Sequence, residues 1–401
     1  MKVKIYKSSP RGEVKIPPSK SVSHRMLICA ALAKGESALY NLLDCDDVKR
    51  TRDMLSRLGA GFKEDGKSLL VTGIKREARD EVTELYASES GSTLRFIIPI
   101  LLSLGGKYKI HAAKRLIERP LTVYEQLFPN AIKKKDGYIE VSGTLTSGVY
   151  RLRGDVSSQF ISGLLFALPT LQGDSRIIIE GAFESRSYID LTLDALKEFG
   201  VNIEAVKENE FFVPGGQSYT ARTETVEGDF SAAAFIEALG LLHGGVTALG
   251  LNEESLQGDR VYREIFLKLK NGDGEKIDLS DCPDNAPVLI MLAAALGGAH
   301  FTGTKRLKLK ESDRAEAIRE ELLKLGASIT VLENEVIVNK AKLFSPVEPI
   351  LSHNDHRIVM AMAVLLTVYG GEILGAEAIN KSYPDFFLHL AELGVKLEFT
   401  E

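Results

Sequence analysis

Residues 283–302 read PDNAPVLIMLAAALGGAHFT, and the order of residue types in this stretch decides the fold. An apolar run over residues 288–296 leads to Gly298 and is followed by the strand-like run 299–302. Glycine after a helix accepts the left-handed backbone conformation because it has no Cβ atom to clash. The stretch therefore predicts a buried helix that ends at a glycine and continues into a strand.

The same pattern recurs six times along the chain. The glycines that follow the apolar runs are spaced by 71, 67, 72, 53 and 73 residues: Gly35, Gly106, Gly173, Gly245, Gly298 and Gly371. More amphipathic segments end at a second series, in which asparagine, the usual second choice for this conformation, appears once: Gly59, Asn130, Gly200, Gly272, Gly326 and Gly394. Each repeat thus predicts the order strand, helix, strand, helix, strand, strand.

Loop residues at 227–229 divide the six repeats three and three. We therefore predict an α+β (α/β) protein of two similar lobes rather than a Rossmann sheet. An ordinary α/β enzyme with many strand-to-helix turns is the alternative interpretation.

Composition excludes several classes of protein. The 401 residues are 44% hydrophobic and 26% charged, which is typical of globular domains, and no apolar run reaches the roughly 18 residues of a membrane helix. A net charge of −5 argues against nucleic-acid or membrane partners. The N-terminus lacks the apolar core of a secretory signal. The chain has three cysteines, Cys29, Cys45 and Cys282, which cannot form a full disulfide framework. We therefore expect a cytoplasmic protein.

Polar segments precede the six apolar helices at equivalent places in the repeat: residues 20–25, 90–95, 157–159, 227–231, 283–285 and 354–357. Helix N-termini attract anions, and Ser, Gly, Lys and Arg extend that attraction to phosphate and carboxylate. The serines, aspartates and asparagines could equally be simple N-caps. Capping does not require cations, which oppose the helix dipole, so four of them favour a pocket for several anions: Lys20, Arg25, Arg95 and Arg357.

Three further segments carry charge. Residues 310–314, KESDR, could form a solvated ion-pair network or hold a proton-carrying carboxylate between two cations. Residues 118–120 place a cation before a proline, and residues 381–385 could be a turn with a surface lysine. His353 and His356 lack an evident third ligand, and nucleotide-binding motifs are absent, so we predict neither a metal nor a cofactor.

In order along the chain, these segments resemble the 5-enolpyruvylshikimate-3-phosphate synthase family of enolpyruvyl transferases. The resemblance covers nearly the whole chain and rests on ten motifs: 18–25 (PSKSVSHR), 42–47 (LLDCDD), 90–95 (SGSTLR), 118–120 (ERP), 157–160 (SSQF), 227–229 (EGD), 257–259 (QGD), 310–314 (KESDR), 354–357 (NDHR) and 383–385 (YPD).

The resemblance implies a fold and a reaction. Each lobe should contain three βαβαββ units with helices inside and sheets outside, an inside-out α/β barrel. The first strand, within residues 1–16, should complete the C-terminal lobe of residues 228–401, while residues 17–227 form the N-terminal lobe. The active site should lie in the cleft between the lobes of a monomer. There the enolpyruvyl group of phosphoenolpyruvate would pass to the 5-hydroxyl of shikimate 3-phosphate, without cofactor or metal.

Site residues follow from the resemblance position by position. It implies shikimate 3-phosphate contacts for Lys20, Ser21, Arg25, Ser157, Ser158, Gln159, Ser185, Asp284 and Lys310. It implies phosphoenolpyruvate contacts for Lys20, Gly91, Arg119, Gln159, Arg314, Arg357 and Lys381. The catalytic residues would be Asp284 as the base at the 5-hydroxyl, Glu311 as the acid and base near the methylene carbon, and Lys20.

Three positions depart from the family pattern. His24 replaces the usual asparagine, Glu89 adds an acid beside the phosphoenolpyruvate loop, and Arg306 stands where a shikimate-contacting asparagine is expected, so no role is carried over to them. Two other functions compete. UDP-N-acetylglucosamine enolpyruvyl transferase shares the fold but carries a reactive cysteine loop, and a catalytically silent anion-binding scaffold would not need two acids.

Overall fold

The computed structural model describes residues 1–75, 81–272 and 276–400. Contacts between residues divide the chain into two compact units. The split unit consists of Met1–Pro17 and Gly228–Glu401, and the continuous unit is Pro18–Glu227. Pro17 thus lies with the first residues of the chain, one position beyond the boundary expected after Ile16.

The described residues form these α-helices: α1 (Lys20–Leu32), α2 (Asp46–Arg57), α3 (Gly91–Leu104), α4 (Lys114–Glu118), α5 (Thr122–Leu127), α6 (Ser158–Ala167), α7 (Arg186–Glu198), α8 (Phe230–His243), α9 (Tyr262–Asn271), α10 (Ala286–Leu296), α11 (Arg314–Leu323), α12 (His356–Tyr369) and α13 (Phe386–Glu392). Short 3-10 helices cover Leu168–Thr170, Gly258–Val261, Lys305–Leu309 and Ala376–Lys381. None of the helices in this part of the chain is long and apolar enough to cross a membrane.

The strands are β1 (Lys2–Ile5), β2 (Gly12–Lys15), β3 (Glu36–Tyr40), β4 (Gly61–Asp65), β5 (Ser68–Thr72), β6 (Val82–Ser88), β7 (Lys107–Ala112), β8 (Ile132–Lys135), β9 (Tyr138–Ser142), β10 (Val149–Arg153), β11 (Ser175–Glu180), β12 (Glu204–Lys207), β13 (Glu210–Val213), β14 (Thr223–Thr225), β15 (Val246–Leu249), β16 (Lys276–Asp278), β17 (Ala299–Thr302), β18 (Ser328–Val331), β19 (Glu335–Asn339), β20 (Ile350–Leu351), β21 (Gly371–Leu374) and β22 (Leu397–Thr400).

The predicted apolar helices are confirmed as α1, α3, α6, α8, α10 and α12, which are buried along most of their lengths. All six residues of the second glycine series have a positive φ, including Asn130 at 68°. In the first series Gly173 is the exception, because its φ lies outside the left-handed region. A Cβ atom at Gly173 would lie 2.5 Å from Ser147 Oγ, so close packing rather than backbone conformation requires glycine there.

The continuous unit contains three four-stranded sheets, ordered β14-β3-β5-β4, β6-β7-β9-β8 and β10-β11-β13-β12. In each sheet the first two strands are parallel and the remaining pairs are antiparallel. Inner strands such as β10 and β11 alternate between buried and less buried residues, so these sheets pack one face on the helices and expose the other. The first repeat takes its leading strand, β14, from the far end of the unit.

The split unit contains two four-stranded sheets, β16-β17-β19-β18 and β20-β21-β1-β22, and the two-stranded sheet β15-β2. The first 16 residues therefore supply two strands rather than one. β1 lies antiparallel between β21 and β22, and β2 is parallel to β15. Helix α10 packs against α8, α9, α11 and α12 and forms the middle of this core.

The fourth repeat, built from β2, α8, β15 and α9, is shorter than the predicted unit. Helix α9 ends at Asn271, and β16 of the next repeat begins at Lys276. This interval is too short for a β-hairpin, which needs two strands and a turn. The missing hairpin accounts for the spacing of 53 residues where the other intervals in the same glycine series are 67 to 73.

Candidate active site

Five of the six apolar helices begin with a side-chain cap, and in four of them the cap belongs to a segment for which the N-cap interpretation was considered; α1 is instead capped by Ser19, just before its segment. The capping oxygens accept backbone N–H groups of the first turn and belong to Ser19, Ser90, Ser157, Asp229 and Asp355. Helix α10 is the exception, because the Asn285 side chain donates to the Asp259 carbonyl instead. The predicted cations lie beside these caps, so the helix N-termini carry both a capping side chain and a nearby cation.

In the continuous unit, Lys20 begins α1 and pairs with Asp47 in the first turn of α2. Lys20 Nζ lies 3.0 Å from Asp47 Oδ2, and both side chains are largely buried. An acid in the first turn of a helix is favoured by the helix dipole. Asp47 was not among the predicted site residues, although its position opening an amphipathic helix was the available signal.

Arg25 lies one turn further along α1 and is buried. Its guanidinium donates to Thr192 Oγ1 at 2.9 Å and to the carbonyls of Ser21 and Tyr188 at 2.7 Å each. All three acceptors are neutral, and burial lowers the pKa of Arg25 to about 10. A buried guanidinium bonded to neutral oxygens leaves its charge uncompensated by these partners, which favours an anionic ligand nearby.

The start of α3 brings together several predicted phosphoenolpyruvate contacts. A Cβ atom on Gly91 would lie 2.7 Å from Arg119 Nη1 and 2.9 Å from Arg95 Nη1, so only glycine leaves these groups undisturbed. Gln159 accepts from Arg95 Nη1 at 2.7 Å and donates to Ser92 Oγ at 2.9 Å. The N-termini of α3 and α6 are thus joined, with Arg95 and Ser92 as additional members that were not assigned a ligand contact.

The predicted serines lie at the starts of α6 and α7. Ser157 caps α6 by accepting the Gln159 N–H, and Ser158 is the first residue of that helix. Ser185 is buried, has a left-handed φ of 57° and directly precedes α7. It is three residues before Tyr188, whose carbonyl accepts from Arg25. Glu89 is half-buried and directly precedes the cap residue of α3.

In the split unit, Asp284 is surrounded by cations. Its carboxylate lies 3.0 Å from Lys310 Nζ, 2.8 Å from Arg314 Nη1 and 3.1 Å from Arg357 Nη2. Burial opposes ionisation of Asp284, but Arg357, Lys310 and Arg314 outweigh it and hold its pKa well below the usual value. The pKa of Lys310 is lowered, since burial outweighs the attraction of Asp284.

Arg314 opens α11 and binds three carboxylates while its side chain is only 1% exposed. The pairs measure 2.8 Å to Asp284, 2.6 Å to Glu311 and 2.8 Å to Asp355. Burial opposes its charge, yet the three acids raise its pKa well above the usual value. The interpretation of residues 310–314 as a solvated network is therefore wrong for Arg314, which joins the two predicted catalytic acids from inside the protein.

Asp355 is a member of this cluster that sequence reasoning did not assign. It caps α12 through the Arg357 N–H and accepts from Ser312 Oγ at 3.0 Å. Burial opposes its ionisation, but Arg314 is the strongest of the groups that keep its pKa below the usual value. Its position before an apolar helix indicated a cap, whereas its bond to Arg314 depends on how α11 and α12 pack.

Lys381 ends a 3-10 helix and donates to the Asn354 carbonyl at 2.5 Å. His353 and Asn354 have consecutive left-handed φ values of 49° and 52°, a costly arrangement that redirects the chain into α12. Lys381 therefore lies beside the N-terminus of α12. Arg306 is buried in the 3-10 helix Lys305–Leu309 and donates to the Ser280 carbonyl at 2.7 Å.

His353 also belongs to a group whose ligand atoms lie within 4.8 Å of one another, together with Glu320 and Glu321. Glu321 is already bonded to Lys324 Nζ at 2.7 Å and accepts the Leu351 N–H. Because the lysine compensates its charge, this donor set is better explained as an ion-pair network than as a metal centre.

Comparisons with known proteins agree with the resemblance. The family model described as EPSP synthase (3-phosphoshikimate 1-carboxyvinyltransferase) matches residues 6–390. A 3-phosphoshikimate 1-carboxyvinyltransferase of Clostridium botulinum (strain Alaska E43 / Type E3) is 41% identical, over 98% of this chain and 97% of that protein. Its counterpart in Clostridium kluyveri is 38% identical, over 99% and 98%.

A solved EPSP synthase of Acinetobacter baumannii has a TM-score of 0.78 and covers both chains completely. At 21% identity that likeness supports the fold alone. The sequence matches extend over nearly the whole length of this chain and of each relative, so they identify the family. The chain belongs to the EPSP synthase (3-phosphoshikimate 1-carboxyvinyltransferase) family.

Proposed function

We propose that this chain transfers the enolpyruvyl group of phosphoenolpyruvate to the 5-hydroxyl of shikimate 3-phosphate and releases phosphate, a step in aromatic amino acid biosynthesis. The observation that carries the proposal is the buried Arg314, which binds both Asp284 and Glu311. The reaction needs two proton transfers at different atoms, and two carboxyl groups in different settings can supply them.

The reaction begins with protonation of C3 of phosphoenolpyruvate, which makes C2 electrophilic. The 5-hydroxyl oxygen attacks C2 and loses its proton, giving a tetrahedral ketal. Loss of a proton from C3 and departure of phosphate from C2 then leave the enol ether. Glu311 is proposed to exchange the proton at C3, and Asp284 to accept the proton of the hydroxyl.

The cations around Asp284 control its basicity. With Arg357, Lys310 and Arg314 in contact, the low pKa of Asp284 keeps it ionised at neutral pH but makes it a weak base. A substrate anion that binds Arg357 and Arg314 competes with Asp284 for them. Its pKa then rises, so the carboxylate becomes a better base when substrate is present.

The anions of the substrates are proposed to bind at the helix N-termini. Shikimate 3-phosphate would contact Lys20, Ser21, Arg25, Ser157, Ser158, Gln159, Ser185, Asp284 and Lys310. Phosphoenolpyruvate would contact Lys20, Gly91, Arg119, Gln159, Arg314, Arg357 and Lys381. Both sets draw residues from both units. Cations around the phosphates offset the repulsion between two anionic substrates and stabilise the departing phosphate.

The protein is proposed to work as a cytoplasmic monomer. The proposed reaction needs no cofactor, because side chains supply each proton transfer. The three cysteines are buried free thiols, which is consistent with a reducing compartment.

The test is phosphate release from phosphoenolpyruvate by purified protein, measured without acceptor, with shikimate 3-phosphate and with UDP-N-acetylglucosamine. We expect release with shikimate 3-phosphate only, falling by about 100-fold or more in Glu311→Gln because a positioned acid and base is lost. Glu316→Gln is the matched control, because Glu316 forms a half-buried pair with Arg319 at the same three-residue spacing as Glu311 and Arg314.

Two results would contradict the proposal. Release that depends on UDP-N-acetylglucosamine would reassign the acceptor. Binding of both ligands without any release would leave an anion-binding scaffold, and an equal loss in Glu316→Gln would mean that Glu311 has no special role in proton transfer.

A further inference from the structure

A row of buried polar side chains connects the first three helices of the continuous unit. His24 on α1, Thr51 on α2, and Thr93 and Ser90 at the start of α3 are each at most 1% exposed. His24 Nδ1 lies 2.8 Å from Thr51 Oγ1, which lies 2.6 Å from Thr93 Oγ1, and Thr93 Oγ1 lies 2.7 Å from Ser90 Oγ. The row is a continuous hydrogen-bonded chain through the core.

The hydrogen bonds of this chain can all be arranged in one direction, from His24 to Ser90. Burial, Lys20 and Arg25 lower the pKa of His24 well below its ordinary value, so its imidazole is neutral and has a single N–H. With Thr93 donating to Ser90, Thr51 can donate to Thr93, and the tautomer that completes the chain has His24 donating from Nδ1. The hydroxyls of Thr51 and Thr93 then each accept and donate, and Ser90 Oγ accepts.

The chain ends beside residues that are predicted to contact phosphoenolpyruvate. Ser90 accepts the Thr93 N–H and caps α3, and the next residue is Gly91, which packs against Arg119. Thr93 Oγ1 also lies 3.3 Å from the carbonyl of Asp47, whose carboxylate holds Lys20. A shift of α3 relative to α1 and α2 would break these bonds inside a dry core, where unpaired polar groups are costly.

We propose that His24, Thr51 and Thr93 are positioning residues that hold the N-terminus of α3, and with it Gly91 and Ser92, in place for phosphoenolpyruvate. This inference rests on the proposed function. None of the three is proposed to touch substrate, so their effect should appear in phosphoenolpyruvate affinity rather than in the chemical step.

The test removes hydroxyls with little change in shape, in Thr51→Val and Thr93→Val. We expect the KM for phosphoenolpyruvate to rise about five-fold, the scale of one lost hydrogen bond, while kcat and the KM for shikimate 3-phosphate stay within about two-fold. In the double variant the KM for phosphoenolpyruvate should rise by no more than about five-fold, because both substitutions interrupt the same hydrogen-bonded chain. Thr51→Ser and Thr93→Ser keep the hydroxyl and should restore the KM.

Thr367→Val is the matched control. Thr367 is fully buried near the end of α12 in the split unit, and its Oγ1 lies 2.8 Å from His243 Nε2. It should lower Tm as Thr51→Val does and leave each KM unchanged. An unchanged phosphoenolpyruvate KM in Thr51→Val and Thr93→Val, or an equal rise in Thr367→Val, would overturn the inference.

Calorimetric titration with phosphoenolpyruvate separates this inference from the proposed function. A wild type that binds phosphoenolpyruvate but releases no phosphate would refute the reaction alone. The Thr51→Val and Thr93→Val variants would then still be expected to bind phosphoenolpyruvate about five-fold more weakly, and wild-type affinity in both would refute the positioning role.

Discussion

Two buried arginines, one in each unit, have opposite kinds of partner. In the continuous unit, buried Arg25 donates to three neutral oxygens, whereas Lys20 on the same helix pairs with the Asp47 carboxylate. In the split unit, Lys310, Arg314 and Arg357 meet an equal number of carboxylates: Asp284, Glu311 and Asp355. The charge of Arg25 is not balanced by its three hydrogen-bond acceptors, whereas the charges around Arg314 are balanced within the protein.

This difference indicates a division of work. A cation held by neutral groups gains most from an incoming anion, so Arg25 in the continuous unit is suited to substrate affinity. Carboxylates held among cations change their pKa when those cations turn to a ligand, so the split unit is suited to proton transfer. Substitutions in the two units should therefore affect different kinetic constants.

The largest contrast is expected from removing one acid in each unit. Asp284→Asn should lower kcat by about 10²- to 10⁴-fold, because the proposed base is lost. Asp47→Asn removes a carboxylate that contacts Lys20 and should change kcat by less than about tenfold, with its main effect on KM. Steady-state kinetics with both substrates measures the contrast, and equal losses of kcat in the two variants would refute the division of work.

A smaller effect is expected at Arg25. Arg25→Met removes a buried charge together with its three hydrogen bonds, so the free energy of unfolding should change by no more than about 1 kcal/mol, because relief of charge burial offsets the lost bonds. The KM for shikimate 3-phosphate should rise about 10- to 100-fold, the scale of a lost charged hydrogen bond.

Urea unfolding and steady-state kinetics measure the two quantities for Arg25→Met. Arg25→Lys, which keeps the charge but loses the planar guanidinium, should give an intermediate KM. A strongly destabilised Arg25→Met protein with an unchanged KM would show that Arg25 is structural.

The smallest effect concerns two histidines with opposite pKa shifts. Burial, Lys20 and Arg25 lower the pKa of His24, so the unfolded chain takes up a proton that the folded protein resists, and stability falls as pH drops below about 6.5. Glu321, aided by Glu320 and opposed by burial and Lys324, raises the pKa of His353. The stability that this shift contributes is present below about pH 6.5 and is lost as the pH rises through the pKa of His353 in the folded protein.

Measuring Tm between about pH 8 and about pH 5 tests the direction in which each histidine makes stability depend on pH. Relative to wild type, His24→Asn should gain stability as pH falls, because the cost of protonating a buried imidazole disappears. His353→Asn should lose stability relative to wild type over the same interval. Parallel Tm profiles for the two variants would contradict the assigned shifts.

Sequence reasoning succeeded where the signal is local. The helix and strand within residues 283–302 and the left-handed Asn130 follow from residues adjacent in the chain. The spacing of 53 residues between Gly245 and Gly298 already indicated that the fourth repeat is short. Only the order of strands in the sheets showed which strands that repeat contains. The pairing of Arg314 with Asp355 joins residues of two different repeats, so neither position alone could indicate it.

The sequence by itself determined the repeat, its helices and the residue types at their N-termini, because apolar periodicity, capping and glycine conformation act within a few residues. Only the tertiary structure decided how those N-termini are charged. Arg25 obtained neutral partners from α7, and Arg314 obtained three carboxylates, because packing sets which side chains share a buried space. In that space the cost of an unbalanced charge, which is small in water, decides what each cluster can do.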